Sequence, residues 1–157
     1  MRSLVLETLY EWSKIPYQKW FKKEEPWNIS IAQLLQYPNI SLGFHLGSFL
    51  LQHDFTPQPK LENHDVFHVL TKTGITVPEE ISMQYYLLGN GKRSIYLYTV
   101  ILIGTLLYLD KFRLFREAFQ NGRHAFVFHK LDYKKLLDHS IDTIRTTFLI
   151  KPINSNR

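Results

Sequence analysis

Apolar residues recur every three or four positions along most of the chain, which is the spacing of an amphipathic α-helix. No segment shows sustained alternation of apolar and polar residues, so no β-strand is predicted. The pattern predicts an all-α fold, a single compact domain of about six to eight helices over residues 1–150 with a flexible tail at 151–157. The helices are expected at about 2–14, 30–36, 40–53, 64–72, 78–88 and 94–109, and two more carry the apolar spacing of 112–129 and 137–148.

Capping residues and a glycine mark the ends of several of these helices. Ser30 with Gln33, and Thr76 with Glu79, have the spacing of a capping box, which opens a helix. Gly74 is expected in the left-handed conformation that ends the preceding helix. The chain should therefore turn tightly there, so that two successive helices fold back against each other.

The longest uncharged run covers residues 95–109. It falls short of the roughly 20 residues that span a bilayer, so we expect a buried central helix rather than a transmembrane one. Near the N-terminus, Glu7 and Glu11 interrupt what would be the apolar stretch of a signal peptide. We therefore expect a cytoplasmic chain whose first helix belongs to the domain.

Composition narrows the possible chemistry. The 157 residues include no cysteine, which excludes disulfides, thiolate metal sites and cysteine nucleophiles. The net charge of +5 permits an anionic partner, but without a recognition motif it does not favour nucleic acid. Aromatic residues make up 15% of the chain, so either the core is unusually rich in rings or some rings line a pocket for something that is not protein. The candidates are Phe67, Tyr85, Tyr86, Tyr96 and Tyr98.

Two groups of residues fit either a lipid surface or ordinary structure. Three tryptophans lie beside lysines in the first 27 residues, which suits an interfacial anchor as well as core packing. A late basic cluster suits anionic headgroups or a substrate phosphate as well as a solvated helix face. The residues are Trp12, Trp20 and Trp27, and Lys111, Arg113, Arg116, Arg123, Lys130, Lys134 and Lys135.

The sharpest chemical feature is the sequence His64-Asp65-Val66-Phe67-His68. On a helix, His64 and His68 lie one turn apart on the same face, and Asp65 projects beside that face. Two imidazoles and a carboxylate are ligands for a divalent metal. The alternative is a pair of ordinary helix histidines, with Asp65 favourable near the helix N-terminus because of its charge.

A fourth ligand is expected at the start of the following helix, which the tight turn brings back toward the histidines. Glu79 and Glu80 are both candidates. Glu80 is favoured, because Glu79 already closes the capping box and Glu80 points about 100° away from it.

The H-D-x-x-H motif followed after eleven residues by Glu80 resembles the metal motif of the coenzyme Q (ubiquinone) biosynthesis protein four family. Tyr37-Pro38 ahead of Leu42-Gly43, and Gly122-Arg123 near the C-terminus, are similar to its flanking regions, so that the resemblance covers roughly residues 35–150. It implies an all-helical fold and four ligands for a divalent metal, with zinc as the expected ion. These ligands are His64, Asp65, His68 and Glu80.

The resemblance also implies a function in quinone biosynthesis. Family members act on, or organise enzymes around, a prenylated benzoquinone precursor, and their proposed reaction is oxidative decarboxylation of its ring. It further implies peripheral membrane association, with a homo-oligomer or other quinone-biosynthesis enzymes as possible partners. The face of Gly43 and Gly47 and the 95–109 helix are where we expect the isoprenoid tail.

Two other interpretations stay open. The first is a non-catalytic scaffold for prenyl lipids, in which the same ion only fixes the fold or the ring. The second is a metal phosphohydrolase of the HD type, which would combine His53, the pair His64-Asp65 and either Asp110 or Asp132.

Overall fold

The computed structural model of the chain describes residues 26–57 and 62–153. Within them the fold is all-α, a single compact helical domain without a β-strand, as predicted. One-turn 3-10 helices at Leu109–Lys111 and Tyr133–Leu136 complete it. The α-helices are α1 (Ile31–Leu34), α2 (Leu42–Gln52), α3 (Glu62–Thr71), α4 (Val77–Gly89), α5 (Ile95–Leu107), α6 (Phe112–His124) and α7 (Ile141–Thr147). The predicted helix at 2–14, together with Trp12 and Trp20, lies outside the described residues.

Both C-terminal helices are shorter than their apolar spacing predicted. Helix α6 ends at His124 rather than near 129, because the buried Asn90 takes over the backbone groups that follow. The side-chain NH₂ of Asn90 donates to the backbone carbonyl of Phe126, and its side-chain carbonyl accepts from the backbone N–H of Phe128, each at 3.0 Å. Helix α7 begins only after Ser140, whose hydroxyl caps it.

Helices α4 and α6 approach each other closely at two glycines. A Cβ at Gly89 would overlap the carbonyl of Phe119, and a Cβ at Gly122 would overlap the carbonyl of Tyr86. Backbone therefore packs directly on backbone at these two points, while elsewhere the rings of Tyr85 and Phe115 stack between the same two helices, with centroids 5.3 Å apart. The core extends from this contact over Leu70, whose side chain is fully buried, toward α2 and α3.

Residues 151–153, which were predicted to belong to a flexible tail, make hydrogen bonds with the domain. The N–H of Lys151 donates to the hydroxyl of Tyr86 at 3.2 Å, and that of Ile153 donates to the carbonyl of Thr71 at 2.8 Å. Ile153 is buried. Residues 151–153 are thus part of the domain, whereas 154–157 lie outside the described residues.

The prediction that the uncharged helix is buried and central is wrong. Only Leu97 and Gly104 of α5 are buried, and Leu102 and Leu106 are 65% and 66% exposed. The helix packs along one side against α4, where Gly104 lies on Ile81, and its opposite side faces outward. No single described helix is long and apolar enough to span a membrane, although α5 and residues 109–124 meet that test together, with a bend of 102° between them.

Candidate metal centre

The turn between α3 and α4 positions the site, and it differs from the prediction in one detail. Lys72, not Gly74, takes the left-handed conformation, with φ of 51°, and the N–H of Thr73 donates to the carbonyl of His68. A Cβ at Gly74 would meet the carboxylate of Glu79, which is the end of a flexible side chain. The tight turn itself is confirmed, and it returns α4 beside the histidines of α3.

Two imidazoles and one carboxylate converge across this turn. The Nε2 of His68 lies 2.8 Å from Oε1 of Glu80 and 3.2 Å from Nε2 of His64. The Nε2 of His64 lies 3.6 Å from Oε2 of Glu80. One ligand atom from each residue lies within 4.8 Å of the other two, so a single cation could contact all three.

His68 is held in the orientation that a metal ligand needs. Its Nδ1 lies 3.2 Å from the carbonyl of Thr73, and in the neutral tautomer that nitrogen donates to the carbonyl. The lone pair of Nε2 then points toward His64 and Glu80. A backbone carbonyl bound to the outer ring nitrogen is the usual second partner of a metal-binding histidine. Phe49 stacks on the ring, with centroids 5.4 Å apart and planes 18° apart.

The charges of the site are strongly coupled. Burial by itself would raise the pKa of Glu80, but His68 and His64 outweigh burial and hold that pKa well below its usual range. Burial would likewise lower the pKa of His68, and the Glu80 carboxylate outweighs it, so that the pKa is raised. The pKa of Asp65 is raised by burial, which the attraction of the two histidines only partly offsets. A divalent cation would satisfy the same carboxylates without a proton.

Burial is graded across the three residues. The side chain of His68 is 3% exposed, that of His64 14% and that of Glu80 28%. The cluster is therefore anchored in the core at His68 and accessible on the side of Glu80. Two histidines and a carboxylate leave coordination positions open for a ligand, and this donor set fits a zinc or other divalent metal centre.

The structure separates the two adjacent glutamates as predicted. Glu80 belongs to the cluster, whereas Glu79 accepts a hydrogen bond from the N–H of Thr76 at 3.1 Å and closes the capping box. Asp65 lies close enough to interact electrostatically with both histidines and with Glu80. It is not part of the three-residue cluster, and its role as a fourth ligand stays a prediction.

Besides the pair His64-Asp65, the phosphohydrolase interpretation needs His53 and either Asp110 or Asp132, and none of these three residues lies in the cluster. The ring of His53 packs against Phe49, with centroids 4.8 Å apart. Asp132 is exposed and pairs with Lys135 at 2.9 Å. Asp110 is exposed in the 3-10 helix after α5. The described cluster thus consists of His64, His68 and Glu80 alone.

The expected places for an isoprenoid tail are only partly available. The face of Gly43 and Gly47 is already covered, because a Cβ at Gly43 would overlap the ring of Tyr37 and one at Gly47 would overlap Leu34. Among the predicted pocket rings, Phe67 and Tyr86 are buried in the protein core. The outward side of α5 is open.

Sequence reasoning missed three contacts that support the site. These are the Thr73 carbonyl and the Phe49 ring on His68, and the side chain of Arg145 at the end of α3. Arg145 donates from Nε to the carbonyl of Leu70 at 3.0 Å and from Nη2 to that of Val69 at 2.7 Å. No local sequence pattern indicates these contacts. In the sequence, Phe49 is one of several apolar positions of α2, and Arg145 is one of the charged residues of α7.

Comparison with known proteins shows the fold. No protein-family model matches the chain, and no curated protein matches it. The crystal structure of a protein from Nostoc punctiforme, provisionally named a ubiquinone biosynthesis protein, is similar with a TM-score of 0.66. The two chains are 18% identical, and the alignment covers 98% of this chain and 82% of the other.

Proposed function

We propose that this chain is a divalent-metal protein of isoprenoid-quinone biosynthesis that binds a prenylated ring precursor beside the metal. The convergence of His64, His68 and Glu80 on one point carries the proposal. Two further observations support it. The fold is similar to that of the Nostoc protein, and the spacing of the three residues resembles the metal motif of the coenzyme Q family.

His64, His68 and Glu80 would hold the metal, with Asp65 as the fourth ligand and zinc as the ion. When bound, the metal supplies Lewis-acid stabilisation of negative charge on a carboxylate or ring oxygen of the substrate. The Thr73 carbonyl keeps the Nε2 lone pair of His68 directed inward. The partial exposure of Glu80 leaves a route for the polar ring of a substrate.

The proposal has an enzymatic and a non-catalytic form. In the first, the chain carries out oxidative decarboxylation of the prenylated ring, in which the bond between ring and carboxylate breaks with release of CO₂ and an external oxidant such as O₂ supplies the oxygen of the new ring hydroxyl. In the second, it holds the prenylated compound for other enzymes of the pathway. Release of labelled CO₂ from a prenylated hydroxybenzoate supports the first form, and metal with bound lipid but no CO₂ release supports the second.

Elemental analysis of the purified chain tests the metal site. We expect about one divalent ion per chain, and we expect His68→Ala and Glu80→Gln to lose it, because each removes a first ligand. His53→Ala and Glu79→Gln are matched controls, since they remove a nearby histidine and the neighbouring glutamate. Metal content that is absent in the parent chain, or unchanged in both ligand variants, refutes the site.

Native mass spectrometry tests the ligand. We expect a co-purifying isoprenoid compound whose mass disappears after organic extraction. A chain that carries metal but neither retains nor binds added prenylated hydroxybenzoate contradicts the quinone part of the proposal.

A further inference from the structure

The outward side of α5 carries a continuous apolar stripe. Ile95, Tyr98, Leu102 and Leu106 are 74%, 48%, 65% and 66% exposed, and we name them the outer stripe. At 100° per residue they fall within about 80° of one another on the helix, opposite the buried Leu97 and Gly104. Exposed apolar residues continue beyond the helix at Leu109 and Phe112, which are 65% and 49% exposed.

Exposure of such an apolar surface to water is energetically unfavourable. Single exposed leucines are common on proteins, but a contiguous apolar patch marks a surface that meets something other than solvent. Among the described residues, α5 packs mainly against α4, on the side away from the stripe, and no described element covers the outer stripe.

Charge surrounds the stripe without entering it. Residues 94–109 contain no charged side chain, whereas Arg93 precedes them and Lys111, Arg113 and Arg116 follow, all of them exposed. Asp110 is the one acidic residue between Lys92 and Arg116. An apolar helix face with cations at both ends is complementary to a bilayer with anionic headgroups, which accepts apolar side chains at the acyl boundary and attracts the cations above it.

A second copy of the chain fits this surface less well. Whether two α5 helices pair parallel or antiparallel, the cations at their ends come together, because both ends of the stripe are basic. One aspartate per chain cannot offset that repulsion.

We propose that the outer stripe, with Leu109 and Phe112, is the face by which the chain docks on an anionic membrane surface. The helix lies in the interface and does not cross it. Membrane docking does not depend on the metal. The position of the outer stripe nevertheless suits the proposed function, because α5 packs on Ile81, the residue after Glu80. A lipid substrate could pass from the bilayer to the metal centre along the same pair of helices.

Vesicle co-sedimentation with the full chain tests this surface. The probes are phosphatidylcholine vesicles with and without about one third phosphatidylglycerol. We expect binding to the anionic vesicles that weakens as salt rises, because the cations contribute through screened charge. Chelation of metal should leave this binding unchanged, so that failure of the metal site and failure of the docking face are distinguishable.

Two double variants locate the contact. Leu102→Gln with Leu106→Gln should weaken vesicle binding about tenfold or more, since two apolar side chains no longer enter the interface. Ile40→Gln with Phe126→Gln is the matched control, because both residues are 61% exposed elsewhere on the surface, and it should bind as the parent chain does. Replacing Lys111 and Arg113 by Gln should reduce binding to anionic vesicles and flatten its salt dependence.

Three results would overturn the inference. The first is that the full chain does not bind vesicles. Residues 1–25 would produce the same result if they covered the stripe. The second is equal loss in the stripe and control variants. The third is a concentration-dependent dimer, seen by light scattering, that the Leu102 and Leu106 changes abolish, because the partner would then be a second copy.

Discussion

Helices α4 and α5 are neighbours of equal length, 13 residues each, and the more apolar of the two is the more exposed. Helix α4 carries Glu79, Glu80 and Gln84, yet six of its residues are buried. Helix α5 has no charged residue, yet only two are buried. The difference lies in their neighbours, since α4 packs against α3, α5 and α6 while α5 packs mainly on α4. The hydrophobicity of a helix therefore indicates that it contacts an apolar surface, and for α5 that surface need not be protein.

The largest expected effect contrasts one leucine from each helix. Leu87 of α4 is fully buried, and Leu87→Ala should lower the free energy of unfolding by about 2–5 kcal/mol. Leu102→Ala in α5 should change it by less than about 0.5 kcal/mol, because that side chain is already in water. Urea denaturation of both variants measures the difference, and equal losses would mean that α5 is covered in the folded chain.

A smaller effect is expected where α7 contacts the end of α3, the helix that carries His64 and His68. Arg145→Met removes the donors that satisfy the carbonyls of Val69 and Leu70, and should cost about 1–3 kcal/mol. Arg116→Met, at an exposed position of α6, is the control and should be nearly neutral. Should the two variants unfold at the same urea concentration, Arg145 would not stabilise the end of α3.

Substitutions at the two glutamates at the start of α4 should affect stability and metal binding separately. Glu79→Gln keeps a side chain that can close the capping box but removes its negative charge from the N-terminus of α4, so it should lower the free energy of unfolding by about 0.3–1 kcal/mol, with metal content unchanged. Glu80→Gln should remove the metal. Thermal unfolding and elemental analysis of the two proteins give both values, and a loss of metal from Glu79→Gln would reverse the assignment.

The smallest expected effect is a dependence on pH with opposite sign in the metal-free and metal-loaded chains. Glu80 has a pKa lowered from 4.5, so its contribution to stability is present above that value and is lost as pH falls through the lowered pKa. His68 has a pKa raised from 6.5, so its contribution is present below that value and declines as pH rises through the raised pKa.

The metal-free chain should therefore lose stability from this pair as pH rises above 6.5. Added Zn²⁺ should stabilise the chain more as pH rises through the same range, because the ion and the proton compete for His68. Melting temperatures measured across this range with chelator and with Zn²⁺ check the sign. In His68→Ala both trends should vanish, and persistence of either would assign it to another group.

The sequence was sufficient for the elements that local chemistry determines. The helical spacing and the capping box of Thr76 and Glu79 were predicted correctly, because each depends on residues within one or two turns. Glu80 lies beside the two histidines, and its role as a metal ligand stays a prediction. Burial of α5 and the length of α6 were predicted wrongly. Both depend on distant partners, namely the neighbours of α5 and the side chain of Asn90, and periodicity along one segment carries no information about them.

The close contact at Gly89 and Gly122 limits how the metal centre can move. Two helices that meet through side chains can slide as rotamers change, but a backbone-to-backbone contact leaves no rotamer to change. Helices α4 and α6 should thus move as one rigid unit, and the backbone of Glu80 should move with them. The partly exposed side of Glu80 is therefore a rigid edge of the route to the cluster, and any change in the width of that route has to come from α2 and α3, which carry Phe49, His64 and His68.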